Sequence, residues 1–336
     1  MSPLRILAWV LPLVLLAVVS ITYLRKDSRR ATPVAPGAAP AVADEGENFA
    51  RDVRMPEGGT VHLDKRPQRV VVASASLMDT VAAIWPPSRL AAIPVQALTW
   101  STIARKPAPF ATLPRFERFD AEEIFALKPD LVICTTLSSG ETMTALQSAG
   151  VPVFRLGLPE ELDGARHDLK LIASVLGVEE RAQEFDELLQ ERIEALIRDV
   201  GDRTGLSAAF YVHDGSEGWS SGSRTPAEEI LRLTGLANAT SSAGHVGSVR
   251  VGFEELVAMD PEILIVPSAF GEEDGQTATL LRSETALASM QAVKRNRIVS
   301  LHPSLFSTSS IEIVTAAEEL SKSVDELLAR SRRNGR

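Results

Sequence analysis

Residues Ala121–Ile133 read A-E-E-I-F-A-L-K-P-D-L-V-I, and residues Phe253–Ile265 read F-E-E-L-V-A-M-D-P-E-I-L-I. Aligned without gaps, Glu122 meets Glu254, Glu123 meets Glu255, Ala126 meets Ala258, Pro129 meets Pro261 and Ile133 meets Ile265. The remaining changes are conservative, among them Ile124 for Leu256 and Asp130 for Glu262. Each copy places apolar residues at helical spacing (Ala121, Ile124, Phe125; Phe253, Leu256, Val257) and sets both glutamates away from that face. Proline then disfavours the helical conformation of Lys128 and Asp260, which ends each helix. The apolar runs Leu131–Cys134 and Ile263–Val266 follow, of the kind that forms a strand buried on both faces. A helix, a proline and a buried strand repeated in the two halves of a chain predict two similar α/β lobes.

Working outward from the repeat, the chain of 336 residues is long enough for two such lobes and additional segments. Hydrophobic residues at 45% and charged residues at 24% are ordinary for a globular protein. The net charge is -9, and the first thirty residues hold five basic side chains and one acidic. The acidic remainder argues against nucleic acid as a partner. The single cysteine, Cys134, lies in a buried run and forms neither an internal disulfide nor a metal cluster.

Ile6–Leu24 is an uncharged apolar run just long enough to cross a bilayer as a helix, with basic residues on both sides. It reads as an uncleaved membrane anchor, with a signal peptide as the second choice. The excess of Lys and Arg after the span, taken alone, puts the body in the cytoplasm. The residues after it, Ala31–Asn48, are rich in Ala, Pro and Gly and form a linker. A hairpin is expected around Pro56–Gly59, then strands at Arg69–Ser74, Leu90–Val95 and Val153–Leu156 with helices between them. Gln96–Arg118 shows no clear periodicity and reads as a long loop. Glu179–Val200 carries apolar residues three and four apart, a helix of roughly 33 Å that would bridge the lobes. A second lobe opens with a strand at Ala208–His213 and a Gly/Ser-rich loop, Asp214–Arg224. Thr225-Pro226-Ala227-Glu228 is a strong helix start, and Ser309 with Glu312 starts a long terminal helix. The expected organisation is an anchor or signal segment (1–30), a linker (31–50), an N-terminal α/β lobe (51–160), bridging helices (161–204) and a C-terminal α/β lobe (205–330).

Few residues carry chemistry. Gly218-Trp219-Ser220-Ser221-Gly222 fits G-x-S-x-G, the nucleophile elbow of serine hydrolases, although intervening residues separate it from the flanking strand and helix. No phosphate-binding glycine motif occurs, so no nucleotide cofactor is expected. The histidines are scattered without ligand spacing, and no metal site is expected. His245, in a Ser/Gly loop before the second repeat, is a candidate ligand contact. Trp100 and Trp219 each follow a strand in a polar loop, the place where open α/β sheets bind ligands. Their indoles offer flat apolar surfaces to a planar ligand, and Arg105 and Arg224 stand ready for its carboxylates.

The ordered set P-Q-R-V-V-V-A-S-A-S, E-E-I-F-A-L-K-P-D-L-V-I, A-G-V-P-V-F, the bridging helix and R-I-V-S-L-H-P resembles the periplasmic substrate-binding proteins of ABC importers for ferric siderophores, haem and cobalamin. The resemblance covers about residues 52–330. It implies two Rossmann-like lobes joined by one long rigid helix, with a metal chelate or corrinoid held between them, and no enzyme activity. It also implies an exported body, held at the cytoplasmic membrane by the N-terminal helix, and a permease dimer with its ATPase as partner. In that family glutamates at the positions of Glu122 and Glu254 pair with arginines of the two permease subunits. The chain departs from the family in lacking a lipid-anchor cysteine and in the segment Gln96–Arg118. Two other functions fit the sequence: a hydrolase using Ser220, and a tethered sensor that binds ligand without transport.

Overall fold

The computed structural model describes residues 49–268 and 275–334. The predicted anchor Ile6–Leu24 and linker Ala31–Asn48 lie outside the described residues, and among those described no helix is long and apolar enough to cross a membrane.

Both copies of the repeat form a helix, a sharp turn and a buried strand. Helix Ala121–Ala126 starts on Asp120, whose carboxylate accepts the N–H of Glu123 at 2.9 Å. The chain then turns at Lys128, with φ of 51°, before Pro129. Helix Phe253–Met259 ends on Asp260, with φ of 41°, before Pro261. A left-handed conformation costs a non-glycine residue about 1–2 kcal/mol, so something must hold each turn. The residue after each proline does so. Asp130 accepts the N–H groups of Gln68 at 2.7 Å and Arg69 at 2.9 Å, and donates its own N–H to the Arg69 carbonyl. Glu262 likewise accepts the N–H of Ser207 at 3.2 Å and donates to the Ser207 carbonyl at 3.0 Å. Each acid therefore fixes the start of the neighbouring strand.

Two compact units surround these junctions. Residues 49–198 with Ser307–Ala316 form the first, and Asp199–Phe306 with 317–334 the second. In the first unit β1 (Arg51–Arg54) and β2 (Thr60–Leu63) make the expected hairpin, Arg54 opposite Thr60. Strands β3 (Val70–Val72), β4 (Leu90–Pro94), β5 (Arg115–Phe116), β6 (Leu131–Thr135) and β7 (Val153–Leu156) form one parallel sheet. Their order, β5-β4-β3-β6-β7, is that of a doubly wound parallel sheet with its switch point between β3 and β6. Every residue of β3, β4 and β6 is buried, which explains why these runs are apolar up to Thr135 rather than alternating. Helices Leu162–Leu176 and Glu179–Arg198 follow, the second ending two residues earlier than its periodicity predicts.

The second unit repeats half of this plan. Strands β8 (Ser207–His213), β12 (Ile263–Pro267) and β13 (Ile298–Leu301) run parallel, with β12 beside β8 as β6 lies beside β3. On the other side of β8, two antiparallel strands, β9 (Gly218–Ser221) and β11 (Ser248–Arg250), stand where the first unit has parallel β4 and β5. The short β10 (Ala237–Asn238) pairs with the start of β8. The lobe is therefore a mixed sheet rather than the second all-parallel Rossmann-like sheet expected, and the expected Gly/Ser loop Asp214–Arg224 contains β9. The start at Thr225 is as predicted, its hydroxyl accepting the N–H of Glu228. The terminal helix Ile313–Asn334 begins later than predicted, because the serine hydroxyl that accepts the Glu312 N–H is that of Ser310, not Ser309.

The two strained turns differ in what their side chains do. Lys128 is exposed, and Lys128→Gly should raise stability by about 0.5–1 kcal/mol. Asp260 accepts the N–H of Gln291 at 2.8 Å and its side-chain amide at 3.2 Å. Asp260→Gly loses those bonds, at about 1–3 kcal/mol, and should be neutral or destabilising. Urea midpoints at unchanged m values check both; an equal gain in the two variants would show the Asp260 bonds to be idle.

Candidate functional site

The parallel strands of the first unit end at Val72, Pro94, Thr135 and Leu156, and the loops beyond these carboxyl ends form the edge where open α/β sheets take ligands. Beyond β4 the chain makes helix Ala97–Trp100, then helical turns Thr102–Arg105 and Ala108–Phe110, then β5. The expected long loop is thus a chain of short turns, too brief to register as a helical period. Trp100 is the last residue of its helix and half-buried, and Arg105 closes the next turn, exposed.

These turns are held from below by Asp79, on helix Ala75–Ile84 and only 2% exposed. Its Oδ1 accepts the Ser101 hydroxyl at 2.5 Å, the Thr102 N–H at 2.7 Å and the Thr102 hydroxyl at 2.9 Å. Its Oδ2 accepts the Ser310 hydroxyl at 3.2 Å. Burial, with the charge of Glu312 adding to it, pushes the Asp79 carboxyl up to about 7 although the Ser101 and Thr102 donors pull the other way. Sequence reasoning missed this group. Its signal was the one charged residue of its helix, Leu77-Met78-Asp79-Thr80-Val81.

In the second unit, Trp219 lies on β9 rather than in a loop, opposite Val212 of β8 and Arg250 of β11. Alternation along β9 buries Gly218 and Ser220 and leaves Trp219 half-buried on the other face. The Arg250 guanidinium lies 5.6 Å from the Trp219 ring and pairs with Glu217 at 2.7 Å. Arg250 and Glu217 were not among the sequence candidates. Contact between these two chain segments continues beyond the strands, as Ser223 donates its N–H to the His245 carbonyl at 3.0 Å. His245 and the exposed Arg224, whose φ is 58°, therefore lie along the same pair of segments as Trp219. The His245 ring Nε2 is 2.7 Å from Glu255 Oε1, so this ring holds the repeat helix against its incoming loop.

The hydrolase reading of Ser220 fails on this geometry. Ser220 is in mid-strand, not at a strand-to-helix turn, and is 3% exposed. Its hydroxyl donates to the Phe210 carbonyl at 2.7 Å and bonds the Thr240 hydroxyl at 2.6 Å. The two glycines of the motif serve close packing. A Cβ at Gly218 would collide with the Tyr211 hydroxyl and the Val251 carbonyl, and one at Gly222 with the His245 carbonyl. Cys134 is fully buried with its thiol against Met143, and burial pushes it up to about 12.

The repeat glutamates divide into two kinds. Glu123 accepts the N–H groups of Glu117 at 2.9 Å and Arg118 at 3.0 Å, and Glu255 takes His245. Glu122 and Glu254 are exposed and make no hydrogen bond or ion pair among the described residues.

Residues 70–305 match the family model of the periplasmic binding proteins. A cobalamin-binding protein of Halobacterium salinarum is 21% identical over 268 residues, 80% of this chain and 72% of that protein. An ABC transporter substrate-binding lipoprotein of Bacillus subtilis, YvrC, is 22% identical over 61% of this chain and 65% of its own. Among solved structures, the periplasmic heme-binding protein RhuT of Roseiflexus sp. RS-1 superimposes with a TM-score of 0.67 at 22% identity, covering 77% of this chain and 98% of that one. The heme-binding protein HutB of Vibrio cholerae gives 0.66 at 21% identity, over 76% and 98%. These structures share the fold of this chain, and they and the family are binding proteins.

Ser220→Ala should cost about 1–3 kcal/mol, because it strips two buried partners of a hydrogen bond. Denaturant unfolding measures that loss. Ester hydrolysis by the parent that disappears in this variant would restore Ser220 as a nucleophile.

Proposed function

The chain belongs to the periplasmic binding protein family, and we propose that it is the extracytoplasmic substrate-binding component of an ABC importer. Its cargo on this reading is a metal chelate: a ferric siderophore, haem or cobalamin. One observation carries the importer role. The duplicated junction uses its second glutamate in each unit to hold the fold and leaves the first, Glu122 and Glu254, exposed and unpartnered among the described residues. Two equal charges at equal places on two units suit a permease built of two subunits. Rim charges of this kind steer association and set register more than they add affinity.

The names of the relatives support the class of cargo, since they bind cobalamin or heme. Trp100 with Arg105, and Trp219 with Arg224 and His245, are the groups we assign to the ligand. Each pair of indole and guanidinium suits a flat ring system with peripheral carboxylates. The long helix Glu179–Arg198 is assigned the part of a stiff spacer, and Ile6–Leu24 that of the anchor. The lipoprotein relative supports an extracytoplasmic body.

Trp100→Ala and Trp219→Ala should each weaken binding of haem or cyanocobalamin by about 1–3 kcal/mol, read by titration. Parent-like affinity in both variants would make the indoles packing residues. In proteoliposomes with the cognate permease and ATPase, Glu122→Ala with Glu254→Ala should leave ligand affinity intact and abolish or slow ligand-stimulated ATP hydrolysis. Each single change should give a partial defect, and rising salt should weaken docking of the parent. Stimulation equal to the parent's in the double variant would remove the docking role.

A further inference from the structure

Buried carboxylates normally have a cation, and Asp79 has none among the described residues. Its four partners are neutral donors, and three of them belong to the two residues directly after Trp100. The fourth, Ser310, sits on Ser307–Ala316, a segment of the first unit to which Glu312 also belongs. The Thr102 hydroxyl lies 3.3 Å from Glu312 Oε1 as well, so two acids share one turn.

We propose that Asp79 is a positioning residue for Trp100, its carboxylate fixing the turn that presents the indole and its protonation slackening that turn. The inference rests on the reading of Trp100 as a ligand contact and adds the group that governs it.

Charge-assisted bonds to a carboxylate are roughly twice as strong as neutral ones. Protonation on Oδ2, the oxygen facing Ser310, leaves Oδ1 a neutral carbonyl still shared by three donors. The turn is thus held hardest when Asp79 is charged. Folding stability runs the other way. Burial lifts this carboxyl to about 7 in the folded chain, above its ordinary value, so the folded state binds the proton more tightly than the unfolded. Its stabilising contribution is present in acid and is lost as pH rises through about 7. One group therefore moves turn order and global stability in opposite directions.

Of the charged groups around helix Ala75–Ile84, Glu312 is the one whose charge acts on Asp79. Helices Leu162–Leu176 and Glu179–Arg198 also pack on it. On the second of these, Asp186 is taken by Arg166 and Lys170, and Arg192 donates to the Thr315 hydroxyl. On the first, burial pushes Asp168 up to about 7 as well, so Asp168→Asn is the necessary control.

Acrylamide quenching of the Trp100 emission, taken as the difference between the full-length parent and Trp100→Phe, is followed from pH 5.5 to 8.5 beside the thermal midpoint. In the parent and in Asp168→Asn, quenching should fall about two-fold as pH rises through 7 while the thermal midpoint also falls. In Asp79→Asn the quenching should stay high and flat. Quenching that is flat in the parent, or that titrates unchanged in Asp79→Asn, overturns the proposal. Should Asp79→Asn not fold, Ser101→Ala with Thr102→Val decides, since it keeps the acid and cuts its hold. A parent-like titration of quenching in that pair is equally fatal. Haem and cyanocobalamin are titrated in the same series. If Trp100→Phe binds both as the parent does while the Asp79-linked titration persists, the ligand reading of Trp100 falls and the positioning role stands.

Discussion

Asp130 and Glu262 each hold a neighbouring strand by its first backbone groups, and the register of both sheets follows from that grip. The strand after each acid pairs in parallel with the strand it has gripped: Val70 faces Leu131 and Ala208 faces Ile263. Parallel strands so joined are far apart in sequence, and a one-residue slip would turn every side chain to the wrong face. A carboxylate that accepts the partner strand's amide while its own N–H bonds the same residue's carbonyl removes the slip. The positive φ at Lys128 and Asp260 is the local cost of bringing the acid to that place. In the first copy, Arg69 adds to the closure by donating to the Leu127 and Lys128 carbonyls at the helix end.

Beyond the junction the two units part company, and the divergence explains what the chain disclosed of itself. Runs such as Leu131–Cys134 and Ile263–Val266 are legible because a stretch of strand buried on both faces is apolar throughout. Strand β9 is not legible, since it is built of Gly, Trp and Ser and owes its place to side-chain chemistry. The Ser220 hydroxyl is satisfied by Phe210 and Thr240, and Gly218 leaves room for Tyr211. The same letters spell a hydrolase elbow, and only their position within a hairpin separates the two meanings. A motif of glycines around a serine reports close packing as readily as catalysis.

The candidate site was legible in the same uneven way. Trp100 and Trp219 stand out because aromatic residues are only 5% of the chain. Their supports do not stand out. Asp79 reaches Ser101 across 22 positions and Ser310 across 231, and no local pattern marks either contact. Arg250 stacks on Trp219 from a strand of three residues, too short to show alternation. Residues suited to a ligand by their chemistry can be picked out from their type. Those that hold them in place are set by tertiary contacts that sequence spacing does not encode.

The two glutamates of each repeat make the same distinction between adjacent residues. In the first copy, capping by Asp120 places Glu123 at the third helical position, where a side chain reaches back over the incoming chain. Glu123 holds backbone there, and Glu255, at the matching place, holds His245. Glu122 and Glu254 are turned to solvent. The helix dipole rewards a first-turn acid by only about 0.3–1 kcal/mol, and the neighbouring glutamate already supplies a negative charge there. Folding therefore has little use for the outer pair. The outer pair recurs at one place on two units whose sheets differ in the direction of their strands, and that recurrence is what the proposed docking role requires.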